Sequence, residues 1–105
     1  MTNVEDVTII LVEDDPGHAY LIQKNLRRAN ITNQIVLIED GQTAVDYLLG
    51  DNSYERTALS PVLMLLDLNL PVLDGYEVLH RIKTDYRTRH IPVIILTTRG
   101  DEESR

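Results

Sequence analysis

Asp67 stands at the end of the longest uninterrupted apolar run that leads into an acidic residue. Residues 62–66 (VLMLL) run directly into Asp67, and Pro71 closes the short segment that follows. A continuous apolar run between two prolines is typical of a strand buried on both faces of a parallel sheet. Open α/β sheets bind their ligands at the carboxyl ends of the strands. Asp67 is therefore predicted to be a helix cap, a metal ligand or a nucleophile.

A second acidic group, Glu13 and Asp14, follows the β-branched apolar run at 7–12. If the strands take the flavodoxin-like order 2-1-3-4, strands one and three are neighbours, and Glu13, Asp14 and Asp67 meet in one crevice. Three carboxylates so close together stay ionised only if a cation compensates their charge. Oxygen ligands without His or Cys suit a hard divalent ion, and Mg²⁺ is the first candidate.

A Mg²⁺ ion beside Asp67 indicates phosphoryl transfer. The metal neutralises the phosphoryl oxygens while the carboxylate attacks in line and becomes an aspartyl-phosphate. A further buried run, residues 92–97, ends at the same edge with Thr97, and Thr98 follows. The Thr97 hydroxyl and the Thr98 backbone N–H are candidate donors to a phosphoryl oxygen.

Strands and helices that would position these side chains alternate along the chain. The predicted strands are 7–12, 34–38, 62–67 and 92–97, and the predicted helices begin at Asp15-Pro16, near Ala44 and at Asp74-Gly75. Residues 50–60 are predicted to be a loop, and the acidic run 101–103 the first turn of a further helix. This alternation predicts an α/β fold, a doubly wound parallel sheet with right-handed crossovers and helices on both faces.

Composition restricts the classes of function. The 105 residues contain no linker, so we expect one domain spanning 1–105, and 43% of them are hydrophobic, as in a globular fold. A net charge of −7 argues against non-specific binding to nucleic acid or to an anionic membrane. The absence of cysteine excludes disulfides and thiol catalysis. Since no leader and no apolar run of about 18 residues is present, we expect a cytoplasmic protein.

Three motifs in this order and spacing resemble the receiver domain of two-component response regulators. Residues 10–16 (ILVEDDP) match the acidic pair of that family, 65–75 (LLDLNLPVLDG) its phosphoacceptor strand and loop, and 92–98 (PVIILTT) its switch-threonine strand. The wider sequence is similar to small single-domain regulators paired with phytochrome-type and related sensor histidine kinases. The resemblance implies a flavodoxin-like fold and a signalling domain that catalyses only its own phosphorylation.

The resemblance also implies a role for each site residue. Asp67 would be the phosphoacceptor and a metal ligand, Asp14 a direct Mg²⁺ ligand, Glu13 a ligand through water, and Asn69 a ligand through its backbone carbonyl. Thr97 would be the switch hydroxyl. The implied partners are a sensor histidine kinase and a downstream protein or phosphotransfer protein.

One departure from the family concerns the fifth strand, which carries a lysine that pairs with the phosphoryl group, and the helix after it. The sequence stops at Arg105, before both, and its lysines, Lys24 and Lys83, are predicted to lie on outward helix faces. Strand four would then be an apolar edge. We expect either a homodimer through that edge or a longer natural chain.

Alternative interpretations remain at this stage. A pseudo-receiver that is never phosphorylated would fit the missing lysine. An aspartate-based phosphatase of the haloacid-dehalogenase type is less consistent, because it needs a second Asp two residues after the first, where this sequence has Asn69. The three histidines, His18, His80 and His90, have no partner at ligand or catalytic spacing and are predicted to be solvated surface residues.

Overall fold

The computed structural model describes residues 6–50 and 61–96. Within these ranges the strands are β1 (Thr8–Val12), β2 (Ile35–Ile38), β3 (Val62–Asp67) and β4 (Val93–Leu96), and the α-helices are α1 (Pro16–Arg28), α2 (Gly41–Leu49) and α3 (Gly75–Thr84). The predicted roles of Thr97, Thr98 and the acidic run 101–103, and most of the predicted 50–60 loop, fall outside the described residues. No helix in the described ranges is long and apolar enough to cross a membrane.

The four strands form one sheet in the order β2-β1-β3-β4, and every adjacent pair is parallel. The predicted order is therefore confirmed. β1 and β3 lie side by side although α1, β2 and α2 separate them in the chain. Their register pairs Val12 with Leu66, and β4 pairs Leu96 with Asp67. The residues that follow β1 thus lie beside the end of β3.

Both faces of the sheet are covered by helices. On one face Ile10, Val12 and Leu66 pack with Ala44 and Leu48 of α2 and with α3 residues such as Val78 and Ile82. On the other face Ile9, Leu11 and Leu65 pack with Ala19 and the partly buried Leu26 of α1. Alternate residues of one strand feed opposite cores, because successive side chains of a strand point to opposite faces. This explains why β1 is apolar from Ile9 to Val12 and β3 from Val62 to Leu66.

Aspartates cap all three helices of the described chain. Asp15 accepts hydrogen bonds from the Gly17 and His18 amides, Asp40 from Thr43, and Asp74 from Glu77. These bonds satisfy amides that have no partner within the helix. The caps at Asp15 and Asp74 were predicted, whereas α2 begins at Gly41, three residues before its first apolar position.

The connection from α3 to β4 is held to α3 by side-chain hydrogen bonds in both directions. The Lys83 ammonium donates to the carbonyls of Arg89 at 3.1 Å and of Ile91 at 2.6 Å. The buried Thr88 hydroxyl donates to the Ile82 carbonyl at 2.8 Å. The Lys83 side chain lies on the outward face of α3, as predicted, but its ammonium group binds this connection.

Candidate functional site: an acidic cluster at the sheet edge

The carboxylates of Glu13, Asp14 and Asp67 lie together at the carboxyl ends of β1 and β3. Each contributes one oxygen, and the three oxygens are all within 4.8 Å of one another. Asp67 is 0% and Glu13 1% exposed, whereas Asp14 is exposed. Because β1 and β3 are in register at Val12 and Leu66, the next residue of each strand comes to the same point. The structure thus brings together the three residues that were predicted to meet in one crevice.

Asp67 is held from the loop that follows β3. The Asn69 backbone N–H donates to Asp67 Oδ1 at 3.1 Å. The loop then returns to the strand, where the Gly75 N–H donates to the Leu68 carbonyl at 3.1 Å. A Cβ at position 75 would overlap the Asp67 carbonyl oxygen and the Leu68 Cα. Gly75 therefore allows α3 to begin directly against the end of β3.

The same loop contains a tight turn at Val72. The Leu73 N–H donates to the Pro71 carbonyl at 2.7 Å across Val72, whose φ is 69°. A β-branched residue rarely takes a positive φ, so this turn is strained. The loop is also fixed from α2, because a Cβ on Gly41 would overlap the Leu73 carbonyl. Glycines at the starts of α2 and α3 thus set the path of the chain after Asp67.

Glu13 is fixed by the first turn of α1. Its Oε2 accepts the Asp15 N–H at 3.2 Å, and its Oε1 lies 2.9 Å from His18 Nδ1. Burial raises the pKa of the Glu13 carboxyl above its ordinary value. The hydrogen bond from the Asp15 N–H lowers this pKa, the charge of Asp67 raises it, and the contact with His18 lowers it. The Glu13 carboxyl therefore loses its proton less readily than a glutamate in water.

The prediction that His18 is a solvated residue without a partner is wrong. His18 is only 24% exposed and contacts Glu13. The Asp15 cap fixes the first turn of α1, and the packing of α1 over the end of β1 brings His18, the third residue of the helix, to Glu13. His80 and His90 are exposed, as predicted. A histidine three residues after a helix cap that itself follows an acidic strand end was the signal available in the sequence.

The donor set fits a hard divalent cation. Carboxylate oxygens are the ligands that Mg²⁺ prefers, and two of the three carboxylates are buried where their mutual repulsion is least screened by water. Asp14 adds an exposed oxygen, and an ion can enter the cluster from this solvent side. Asn69 lies in the loop beside this cluster. The predicted site residue Thr97 lies outside the described residues, immediately after Leu96, which is opposite Asp67.

Neither described lysine joins the cluster. Lys24 Nζ lies 5.9 Å from the centre of the Tyr20 ring on α1, and Lys83 binds the carbonyls of the α3–β4 connection. This agrees with the prediction that neither lysine can take the role of the lysine on the family's fifth strand.

Residues 9–105 match the response regulator receiver domain family, and this chain belongs to that family. The chain is 43% identical over 95 residues to the probable methanogenesis regulatory protein FilR2 of Methanothrix harundinacea, covering 90% of this chain and 60% of that protein. It is 40% identical over 95 residues to the response regulator Rcp1 of Synechocystis sp., covering 90% of this chain and 64% of that protein. The chain thus spans less than two thirds of the length of these two relatives.

Solved structures agree with this assignment. A response regulator receiver domain from Rhodospirillum rubrum is 45% identical with a TM-score of 0.78, covering 92% of this chain and 69% of that one. The phosphorylated cyanobacterial phytochrome response regulator RcpA is 39% identical with a TM-score of 0.75, covering 92% and 69%. The receiver domain of the sensor histidine kinase PA1611 from Pseudomonas aeruginosa, with a magnesium ion coordinated in its active site cleft, is 32% identical with a TM-score of 0.67, covering 91% and 73%. The fold is that of a two-component signalling domain.

Proposed function

We propose that this chain accepts a phosphoryl group on Asp67 from the phosphohistidine of a sensor histidine kinase, with Mg²⁺ bound beside it. The observation that carries the proposal is the convergence of Glu13 and Asp14 on the buried Asp67, with one oxygen of each within 4.8 Å of the others. The magnesium ion in the cleft of the PA1611 receiver domain and the phosphorylated state of RcpA support the same chemistry.

The metal ligands would be Asp14 and Asp67 directly, Glu13 through a water molecule, and Asn69 through its backbone carbonyl. When bound, the ion supplies positive charge that offsets the charge of the phosphoryl oxygens. Glu13 suits an indirect role, because both of its oxygens already contact protein groups, the Asp15 N–H and the His18 ring. Asp14 suits a direct role, because it is the exposed member of the cluster.

Asp67 acts as the nucleophile. One carboxylate oxygen attacks phosphorus, an O–P bond forms and the P–N bond to the kinase histidine breaks, and the imidazole leaves as a neutral ring because its other nitrogen carries a proton. The Asn69 N–H holds Oδ1 and so limits rotation of the carboxylate about its Cβ–Cγ bond. The close approach of Gly75 to the Asp67 backbone keeps the end of β3 in place. The protein thereby presents an already oriented nucleophile to the donor.

Thr97 is proposed as the switch residue, whose hydroxyl donates to a phosphoryl oxygen once Asp67 is modified. Support comes from the register, which places the preceding residue, Leu96, opposite Asp67. Thr97→Ala should still accept phosphate but lose the phosphorylation-dependent change near β4, and Thr97→Ser should retain it. Comparing amide spectra of the phosphorylated variants tests this role.

Output is proposed to occur through protein contacts, either with a downstream partner or through onward phosphotransfer. A homodimer through the β4 edge is the form of contact we expect from the sequence. Ile94 of β4 is 51% exposed and borders an apolar groove of about 390 Å³ with Val7, Leu26 and Ile31 among its lining residues. Light scattering at micromolar concentration tests the dimer, and a monodisperse monomer would contradict it.

The central experiment is phosphorylation by acetyl phosphate with Mg²⁺, followed by intact mass measurement. We expect the wild-type chain to gain the mass of one phosphoryl group and Asp67→Asn to gain none. Asp46→Asn, an exposed position on α2, should label like the wild type. Labelling of Asp67→Asn would contradict the assignment of the phosphoacceptor. A wild-type chain that never labels would favour the pseudo-receiver interpretation.

A further inference from the structure

His18 contacts the acidic cluster from α1, and the proposed phosphotransfer assigns it no role. It is the third residue of the helix, and its own backbone N–H points to the Asp15 cap, 3.5 Å from Oδ1. The stronger Gly17 N–H bond to the same oxygen, at 3.0 Å, fixes the first turn. The cap therefore fixes the first turn of the helix, from which the imidazole extends to Glu13.

The Glu13 carboxylate is held at both oxygens by groups of this first turn. Oε2 accepts from the Asp15 N–H, and Oε1 pairs with His18 Nδ1. When the Glu13 carboxyl is ionised it only accepts hydrogen bonds, and the imidazole then donates from Nδ1. The Glu13 side chain has no measurable exposure, while that of His18 is 24% exposed. Bulk solvent therefore reaches this pair from the His18 side, and His18 is the side chain that fixes Oε1.

We propose that His18 is a positioning residue of the site, whose imidazole holds the Glu13 carboxylate in the orientation that supports a divalent cation bound by Asp14 and Asp67. The inference rests on the metal site of the proposed function. Without the imidazole, Glu13 keeps only the Asp15 N–H and can rotate away from the cluster. Removing a hydrogen-bonding partner of this kind typically weakens metal binding by about 10- to 100-fold. Because Glu13 would act through water, we expect the lower end, about tenfold.

Calorimetric Mg²⁺ titration at one fixed pH tests the proposal with matched variants. His18→Ala should bind Mg²⁺ about tenfold more weakly than the wild type. His18→Asn should recover part of the loss, since its amide nitrogen takes a place similar to that of Nδ1 and can donate. His80→Ala, an exposed histidine on α3, should bind like the wild type. Circular dichroism establishes whether each variant is folded. If His18→Ala is unfolded, the comparison is made with His18→Asn.

A second measurement needs no metal. In the metal-free protein the imidazole ¹⁵N spectrum should show His18 protonated at Nδ1, and Glu13→Ala should remove that preference. Wild-type Mg²⁺ affinity in His18→Ala, an equal loss in His80→Ala, or no Nδ1 preference in the wild type would each overturn the proposal. A wild-type chain that binds no Mg²⁺ gives a different result: it refutes the proposed metal site and, with it, this inference.

Discussion

Gly75 lies directly against the backbone of Asp67. The first residue of α3 comes so close to the end of β3 that a Cβ there would overlap the Asp67 carbonyl oxygen. The Gly75 N–H also donates to the Leu68 carbonyl, one residue after Asp67. Helix α3 and the proposed phosphoacceptor are therefore one structural unit, and a change in the position of either must move the other.

Gly75→Ala is expected to lower the free energy of unfolding by about 1–3 kcal/mol, because the added methyl group meets backbone atoms that cannot move aside. It should also slow phosphorylation by acetyl phosphate, since the strand end must shift. Gly17→Ala is the matched control: a Cβ there would lie 3.6 Å from Asp15 Oδ1, an ordinary contact, and should be neutral or stabilising. Urea unfolding measures both, and equal stability of the two variants would contradict the close approach.

Mg²⁺ is expected to stabilise the wild-type chain by about 1.4 kcal/mol at a concentration ten times its dissociation constant. Asp14→Asn should gain less from the ion and should be more stable than the wild type without it, because one of three repelling charges is gone. Asp46→Asn should gain as much as the wild type. Urea unfolding with and without Mg²⁺ gives these values, and an equal gain in Asp14→Asn would exclude Asp14 as a ligand.

Lys83→Met is expected to destabilise the chain by about 1–3 kcal/mol, the range for the loss of charged hydrogen bonds. Methionine keeps the apolar stem but leaves the carbonyls of Arg89 and Ile91 without their ammonium donor. Lys24→Met should change stability by less than about 0.5 kcal/mol, as is usual for surface positions. Thermal or urea unfolding compares them, and a neutral Lys83→Met would show that the loop is held by other contacts.

Asp85 and Arg87 form a pH-dependent pair in the α3–β4 connection. Hydrogen bonds from the Arg87 side chain and N–H hold the pKa of the Asp85 carboxyl below its ordinary value of 3.8. A lowered folded-state pKa stabilises the fold above the unfolded-state pKa, and this contribution is lost as the pH falls through the folded-state value. Asp85→Asn should therefore be less stable than the wild type at neutral pH, and the two should converge in acid.

Unfolding titrations at several pH values measure that difference. Arg87→Met provides the control, because it removes the cause of the lowered pKa and should flatten the same acid-dependent step. A constant difference between wild type and Asp85→Asn down to pH values below 3.8 would contradict the assignment.

Local signals in the sequence were sufficient for the described strands and for the starts of α1 and α3, whereas the acidic cluster also required the strand order. The apolar runs before Glu13 and Asp67 identify buried strands, because strands covered on both faces form nearly continuous hydrophobic runs. Asp15 and Asp74 identify helix starts, because their side chains satisfy the nearest free amides. Parallel strands all end at the same edge, so the strand order brought Glu13, Asp14 and Asp67 together.

The contacts that refine the site were decided by tertiary structure alone. Whether His18 faces solvent or Glu13 depends on how α1 is rotated over the end of β1, and the local pattern of α1 leaves that angle open. Gly41 and Gly75 are needed because the starts of α2 and α3 lie so close to the backbone after β3 that a Cβ would not fit. This distance follows from the packing of α2 and α3 on the sheet. The sequence determined which residues carry chemistry, while packing between elements determined which neighbours hold them in place.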